Sequence, residues 1–331
     1  MYINFFSFSQ LITGSIYLLG QKIDEVVRSK RAKHAPYPTV CVGNFQAGGT
    51  GKTPAALWVA KQLKGLGYSP VIIIRGYRGS VSKSTIVDRQ DAYAYGDETV
   101  LHAQHFPTIV GKNRLESTHL AHTIPGDKKV LIMDDGLQHY QLLKDFSIIC
   151  QKNLRFEADA MLPIGRLRQI PHTNVHAILS QINEAGYQKV ESWKGIPEYT
   201  FARETVLRSG GKEQGLVVCG VANPNDCLYH IQKAGEFIGD ELKFRDHHRY
   251  SAADLARIEN ASKKYDYRVH CTAKDAVKLA PLIEAQKSPV KLSVWDVEIR
   301  PVGDVQSLLD AMVAKIEVVY KNRPVKQVEK A

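Results

Sequence analysis

Residues 1–21 hold no charged side chain, and no two of the five cysteines are spaced C-x-x-C. Cys41, Cys150, Cys219, Cys227 and Cys271 are scattered instead, most of them in or at the end of apolar strand-like runs. That spacing argues against a structural zinc site and predicts reduced core thiols in a cytoplasmic protein. There is no internal repeat, and only the end of the chain after Tyr320 reads as a solvated tail. Acidic residues are the scarcer charge, 34 Asp and Glu against 44 Lys and Arg, giving a formal charge of +10. The excess favours an anionic partner: nucleic acid, anionic lipid or a phosphorylated substrate. At 331 residues and 44% hydrophobic content, the chain can bury a sizeable core and is expected to form two lobes.

The uncharged start is followed closely by Arg28, Lys30, Arg31 and Lys33, the reverse of the order in a secretory signal. Phe5, Phe8, Ile12, Ile16, Leu19, Ile23 and Val26 recur at helical three-and-four spacing and make one apolar stripe. Ser7, Gln10, Thr13 and Gln21 interrupt the remaining faces. A helix lying in a membrane interface, its basic run meeting anionic headgroups, fits better than a span; a helix docked on the core is the alternative.

What the chain does have is a glycine-rich segment, Val42-Gly43-Asn44-Phe45-Gln46-Ala47-Gly48-Gly49-Thr50-Gly51-Lys52-Thr53-Pro54. It lies between an apolar strand, Pro38 to Val42, and a helical pattern, Ala55 to Leu63. In such a loop Gly48, Gly49, Thr50 and Gly51 bring backbone N–H groups to phosphate oxygens, Lys52 neutralises β/γ charge, and the Thr53 hydroxyl can hold Mg²⁺. Pro54 is tolerated because the first helical turn has no use for its missing N–H. Gln46 replaces the first glycine of the strict pattern, and Ala47 stands where the variant loops of partition ATPases and metal-centre chaperones often carry a lysine.

Further apolar runs, Pro70 to Ile74, Lys129 to Met133, Phe146 to Cys150 and Val175 to Leu179, alternate with helical segments. They predict a doubly wound, mostly parallel sheet with chemistry at the carboxyl ends of its strands. Beyond about residue 205 the pattern restarts with Gly215 to Cys219, Tyr267 to Cys271 and Leu292 to Trp295, a helix opened by Ser251, and a closing helix near Asp304 to Tyr320. The expected fold class is therefore α/β: a P-loop NTPase core with a second, smaller α/β lobe and an N-terminal membrane-associated helix. The expected boundaries are 1–35 for the helix and basic run, 36–205 for the core and 206–331 for the smaller lobe.

Asp134-Asp135 ends a strand-like run, so a carboxylate there can reach a magnesium held by Thr53. An isolated acidic pair reads as a turn; behind the glycine-rich loop it reads as a metal site. Asp97, at the start of Asp97-Glu98-Thr99-Val100, reads as a helix N-cap or as a general base, and the residues alone favour the cap. Asp246-His247-His248 reads as a loop with a capping Asp, as a metal fragment, or as one histidine acting in acid/base chemistry or orientation. Adjacent histidines project differently, which favours the last. Arg75, Arg78, Arg166 and Arg168 are candidate phosphate clamps or plain surface arginines.

Taken together, Gly43-Asn44 to Pro54, Arg75-Gly76-Tyr77, Gly96-Asp97-Glu98, Asp134-Asp135-Gly136-Leu137-Gln138-His139, Leu162-Pro163 to Arg168, Asp246-His247-His248 and Thr272-Ala273-Lys274-Asp275 resemble the tetraacyldisaccharide 4′-kinases, the lipid A 4′-kinases of Gram-negative bacteria. The Asp-Asp-Gly-Leu-Gln-His block beside that loop is the most specific part. The resemblance implies transfer of the ATP γ-phosphate to the 4′-hydroxyl of a tetraacylated glucosamine disaccharide 1-phosphate, at the cytoplasmic face of the inner membrane, with the N-terminal helix helping to hold the enzyme there. It implies that Asp97 is the base, assisted by His247, with Lys52, Thr53, Asp134 and Asp135 serving ATP and Mg²⁺. The chain has Gln169 and Ala273 where that family usually has Glu. A lipid substrate and a membrane surface are the expected partners, with no nucleic acid and no obligate protein partner. The runner-up is a partition- or metallochaperone-type NTPase switching a protein or DNA partner, against which Ala47 and the apolar N-terminus both argue. A membrane-bound regulator that binds nucleotide without turnover is a third reading, tied to the loss of charge at Gln169 and Ala273.

Overall fold

The computed structural model describes residues 8–151, 160–182, 193–234 and 239–323, with side chains from residue 14 onward. The stripe positions Phe5, Phe8 and Ile12, and the tail beyond residue 323, lie outside the described side chains. Contacts divide the chain into two compact units, Met1–Ile74, Asn113–Ala202 and Arg300–Ala331 in one, Arg75–Lys112 and Arg203–Ile299 in the other. This differs from a linear split into 36–205 and 206–331, because residues 75–112 group with the later part of the chain. The physical reason lies in that segment: its helix Asp97–Ala103 packs on the helix Ala273–Gln286.

In the first unit the strands run Glu198–Ser209 (its first residues), Ala177–Gln181, Phe146–Gln151, Thr39–Gly43, Lys129–Asp134 and Ser69–Ile74, every neighbouring pair parallel. The central strands are apolar at consecutive positions because both faces are covered; Val40, Cys41, Val42 and Val130 to Met133 have no solvent exposure. Each fully buried aliphatic side chain of this kind contributes roughly 1.5–3 kcal/mol. The register sets Val42 opposite Asp134, so the glycine-rich loop and the Asp pair leave the sheet side by side at the carboxyl ends. The helix Lys52–Gly65 returns over these strands, burying Ala55, Ala56, Trp58, Val59, Ala60 and Leu63.

The second unit has its own parallel set, in the order Glu241–Lys243, Leu216–Cys219, Arg268–Thr272 and the first part of Lys291–Val302. Alternate residues of Leu216–Cys219 face opposite cores. Leu216 and Val218 pack with Tyr250, Leu255, Ile258 and Leu279, whereas Val217 and Cys219 pack with Cys227, Ile231 and Trp295. Thr85–Ile86 and Thr108–Val110 pair antiparallel. Ser251 opens the helix Ala252–Ser262 with a capping box to Asp254, as the sequence predicts. All five cysteines are free and buried.

The N-terminal helix, Phe8–Ser29, exposes Ile16, Leu19, Ile23 and Val26, half or more of each in solvent. Its opposite side makes the contacts: Gly14 is buried against Ile164, Tyr17 Oη donates to the Arg168 carbonyl at 3.2 Å, and Gln21 Nε2 donates to Tyr140 Oη at 2.6 Å. The described part of the apolar stripe is therefore not docked on the core. Among the described residues no helix is long and apolar enough to cross a membrane.

Candidate functional site

The first cluster lies at the strand ends of the first unit. Gly48 and Gly51 have positive φ, 104° and 83°, conformations that favour glycine, and a Cβ on either would meet nothing within 4 Å. The space beside both glycines is thus open. Gly51 is the N-cap of the helix Lys52–Gly65, and no side chain caps it. Asn44 fixes the loop from beneath, donating through Nδ2 to Thr50 Oγ1 at 2.7 Å. A second loop is stitched alongside, with Ala47 N donating to Arg166 O at 2.6 Å and Arg168 N to Phe45 O at 2.7 Å.

Thr53 and Asp134 touch directly: the hydroxyl donates to Asp134 Oδ2 at 3.1 Å, both side chains being buried. Asp135, in left-handed backbone at φ 51°, turns the other way and collects cations. Arg168 grips it with two hydrogen bonds, 2.8 and 3.2 Å, and Lys52 Nζ lies 3.8 Å from it. Burial raises the Asp135 pKa, but Lys52, Arg168 and Arg114 outweigh it and hold the carboxyl at about 2. Arg114 also donates to the carbonyls of Asp135 and Asp134, at 2.7 and 3.2 Å. Gln138 Nε2 donates to Asn44 O at 2.9 Å and to Gln169 Oε1 at 2.8 Å, so the buried Gln169 belongs to this cluster. Lys144, close behind, has its pKa lowered to about 8 by burial and donates to the carbonyls of Leu137 and His139.

The second cluster belongs to the second unit. Asp97 is not an N-cap: Gly96 holds that position, and Asp97 is the first residue of the helix, its Oδ1 accepting the Glu98 N–H at 2.8 Å. A Cβ at Gly96 would come within 2.6 Å of the Tyr77 carbonyl, so the glycines of Arg75-Gly76-Tyr77 and Gly96-Asp97 allow two backbones to touch. The buried Asp97 carboxylate accepts from His247 Nδ1, 2.8 Å to Oδ2 and 3.0 Å to Oδ1. His247 sits at φ 55°, its ring edge-on to Tyr77 at 5.3 Å. His248 turns away to Asp254 Oδ2 at 3.1 Å, so the two histidines serve different partners. Asp246 caps nothing here; its carbonyl accepts from Arg78 Nη1 at 2.8 Å, and its side chain lies 3.8 Å from His247 Nε2.

Each partner shifts the other. Burial pushes the Asp97 pKa up, but the hydrogen bond and charge of His247, with Lys278 and Lys274 behind, bring it below the ordinary carboxylate value. The hydrogen bond to Asp97 raises His247 against the opposing effect of burial. The structure thus brings Lys52, Thr53, Asp134 and Asp135 together and, separately, Asp97 and His247. Of the candidate arginines Arg168 joins the first cluster through its side chain; Arg75, Arg78 and Arg166 are exposed. Asn44, Arg114 and Gln138 carried no chemical signal of their own in the sequence, though Asn44 and Gln138 lie inside the recognised segments.

A family model described as "LpxK: Tetraacyldisaccharide-1-P 4'-kinase" matches residues 7–317. A protein named tetraacyldisaccharide 4′-kinase from Rhizobium meliloti is 30% identical over 295 residues, 86% of this chain and 83% of its own length. One of the same name from Methylobacterium radiotolerans is 33% identical over 255 residues, 73% of this chain and 76% of its own. A crystal structure of LpxK from Aquifex aeolicus in complex with ATP superposes with a TM-score of 0.75 at 21% identity, covering 93% of this chain and 98% of that one; at that identity the likeness speaks for the fold. With a family match over nearly its whole length, the chain belongs to the tetraacyldisaccharide-1-P 4′-kinase family.

Proposed function

We propose that this protein is an ATP-dependent tetraacyldisaccharide 4′-kinase of lipid A biosynthesis, moving the γ-phosphate of ATP to the 4′-hydroxyl of a tetraacylated glucosamine disaccharide 1-phosphate. The observation that carries the reading is the buried Asp97 carboxylate paired with His247 Nδ1 at 2.8 Å. A switch NTPase moving a protein or DNA partner has no sugar hydroxyl to deprotonate; a kinase acting on one needs a proton acceptor.

Gly48 to Thr53 is read as the P-loop. The open space beside Gly48 and Gly51 and the uncapped start of the following helix suit a phosphate chain, and Lys52 adds a point charge. The Thr53 hydroxyl against Asp134, with Asp135 adjacent, is a donor set that suits Mg²⁺, which takes one or two carboxylates and completes its shell with phosphate oxygens and water. Bound there, the ion would neutralise phosphate charge. Lys52 and Arg168, which rest on Asp135 in the free protein, are the cations positioned to turn to the nucleotide. During transfer the acceptor O–H bond breaks and its proton passes to Asp97. The freed electron pair forms the new O–P bond, while the pair of the bridging O–P bond leaves with ADP. His247 orients the carboxylate through Nδ1 and keeps it ionised near neutral pH.

The exposed stripe of the N-terminal helix, with the exposed Arg28, Lys30, Arg31 and Lys33, supports a peripheral or monotopic position at the cytoplasmic face of the inner membrane. The test is direct: purified protein, labelled ATP, Mg²⁺ and the disaccharide 1-phosphate lipid. Labelled lipid is the expected product; ATP hydrolysis with no labelled lipid would reject the kinase reading in favour of a switch.

A further inference from the structure

The helix Ala273–Gln286 of the second unit begins with three charged residues to which the mechanism above gives no role: Lys274, Asp275 and Lys278. Lys274 pairs with Glu98, the neighbour of Asp97. Asp275 is fully buried and fully used. Its Oδ2 accepts from Gly220 N at 3.0 Å and from Thr272 Oγ1 at 2.8 Å, and its Oδ1 from Tyr250 Oη at 3.0 Å. One turn later, on the same helix face, Lys278 is 4% exposed. Its Nζ lies 3.2 Å from Asp275 Oδ1 and 3.6 Å from Asp97 Oδ2, with the Tyr250 ring centroid at 5.4 Å.

An ammonium is among the groups least often buried, and even a paired buried charge is frequently replaceable by apolar side chains without loss of stability. A buried lysine between two carboxylates therefore calls for a reason other than holding the fold together. The contacts supply one. The Gly220 carbonyl accepts the His247 backbone N–H at 3.1 Å, so Asp275, bonded to Gly220 N, fixes the backbone against which His247 is held. A Cβ at Gly220 would come within 2.8 Å of Asp275 Oδ1, which shows how closely the two approach. Lys278 then faces the carboxylate that His247 pairs with. One helix turn holds both partners of the pair.

We propose that Lys278, backed by Asp275, is a positioning residue for phosphoryl transfer: its buried ammonium holds Asp97 ionised and turned toward His247, ready to accept the acceptor hydroxyl's proton. The proposal rests on the reading of Asp97 as the base. The groups facing Asp97 are its own neighbour Glu98, His247 and Asp246 from the loop before the helix Ala252–Ser262, the Tyr250 phenol, and Lys274, Asp275 and Lys278 from the helix beneath. Removing Lys278 takes away a positive charge that favours the carboxylate, so the acid limb of the rate profile should move to higher pH. Removing the charge of Asp275 should move it to lower pH.

The full-length enzyme is assayed with ATP and the lipid acceptor as wild type, Lys278→Met, Lys278→Arg, Asp275→Asn and Asp97→Ala, across roughly pH 3 to 9, so that the acid limb of a lowered carboxylate falls inside the range. The Met variant should lose about tenfold in kcat at neutral pH with the KM for ATP unchanged, and its acid limb should rise. The Arg variant should regain most of both, which a lost packing contact would not explain. In the Asp97→Ala background, adding Lys278→Met should change kcat no further, because Lys278 acts through the carboxylate. A folded Met variant with wild-type kcat and acid limb overturns the proposal. If that variant does not fold, Asp275→Asn decides, and an unmoved acid limb in the folded Asn variant overturns it. Asp97→Ala with wild-type kcat would instead reject the underlying assignment of the base.

Discussion

The two clusters are assembled in different ways. Around the glycine-rich loop, Asn44, Thr50, Lys52 and Thr53 come from one short stretch, and the register of two neighbouring strands brings Asp134 and Asp135 to them. Asp97 and His247 meet across 150 positions, and the residues that hold them come from the segment 75–112, the loop after Cys219 and the helix Ala273–Gln286. The first cluster is a property of a strand, a turn and a helix start, which a local stretch of sequence can specify. The second exists only when distant segments pack. Its roles therefore depend on more of the fold, and damage at a distance should reach it more readily.

The largest effect expected is at the locally encoded cluster. Lys52→Ala should remove lipid phosphorylation and weaken ATP binding, because the phosphate chain loses its point charge. Turnover equal to wild type, measured with labelled ATP, would break the assignment of this loop to nucleotide. At the assembled cluster the loss should fall on chemistry instead. Asp97→Ala should lower kcat by roughly 10²–10⁴ with little change in ATP affinity, and His247→Ala should act in the same direction more weakly. A large rise in the ATP dissociation constant with kcat intact would merge the two clusters into one nucleotide site and erase the contrast.

Smaller effects sharpen the comparison at its edges. Deleting residues 1–27 should shift the protein toward the soluble fraction and slow phosphorylation of lipid held in bilayers. Neutralising Arg28, Lys30, Arg31 and Lys33 with the stripe intact should leave attachment weaker and insensitive to salt, as read by vesicle co-sedimentation. Full pelleting of the truncated protein would place the anchor elsewhere. The smallest change is expected from Gln169→Glu. Gln169 already accepts a hydrogen bond from Gln138 at 2.8 Å, and a carboxylate can accept the same bond while adding charge beside Gln138, which also bonds the Asn44 carbonyl. The Mg²⁺ concentration for half-maximal rate should fall; an unchanged requirement would mean that position 169 does not reach the ion's surroundings.

The sequence made the first cluster readable because apolar strands buried on both faces stand out as unbroken runs, each ending at the residues that matter. Strands at Thr39, Ser69, Lys129 and Phe146 follow those runs within a residue or so. The long strand Glu198–Ser209 was not legible: most of its positions are only half-buried, so neither a continuous nor an alternating apolar pattern marks it. The helix Ala273–Gln286 carries Pro281 and buries Asp275 and Lys278, charged residue types that are seldom buried. Asp97 looked more like a helix cap than a base, since a cap needs only local sequence and a base needs its partner. The grouping of 75–112 with 203–299 was hidden for the same reason. In the sequence, resemblance to a family and not residue physics links Asp97 to His247.

Asp135 gives the free enzyme an internal counter-ion. Its carboxylate, gripped by Arg168 and facing Lys52, occupies the cations that a triphosphate would claim on the proposed reading, so nucleotide would enter by exchanging one anion for another instead of landing on bare charge. Simple inorganic anions, which bring less charge than a magnesium nucleotide, must make the same exchange for fewer contacts. With its carboxyl held at about 2, that internal anion contributes fully above the ordinary carboxylate range and is lost only as the pH falls toward that value. Near neutrality the loop end keeps its charges matched between one turnover and the next.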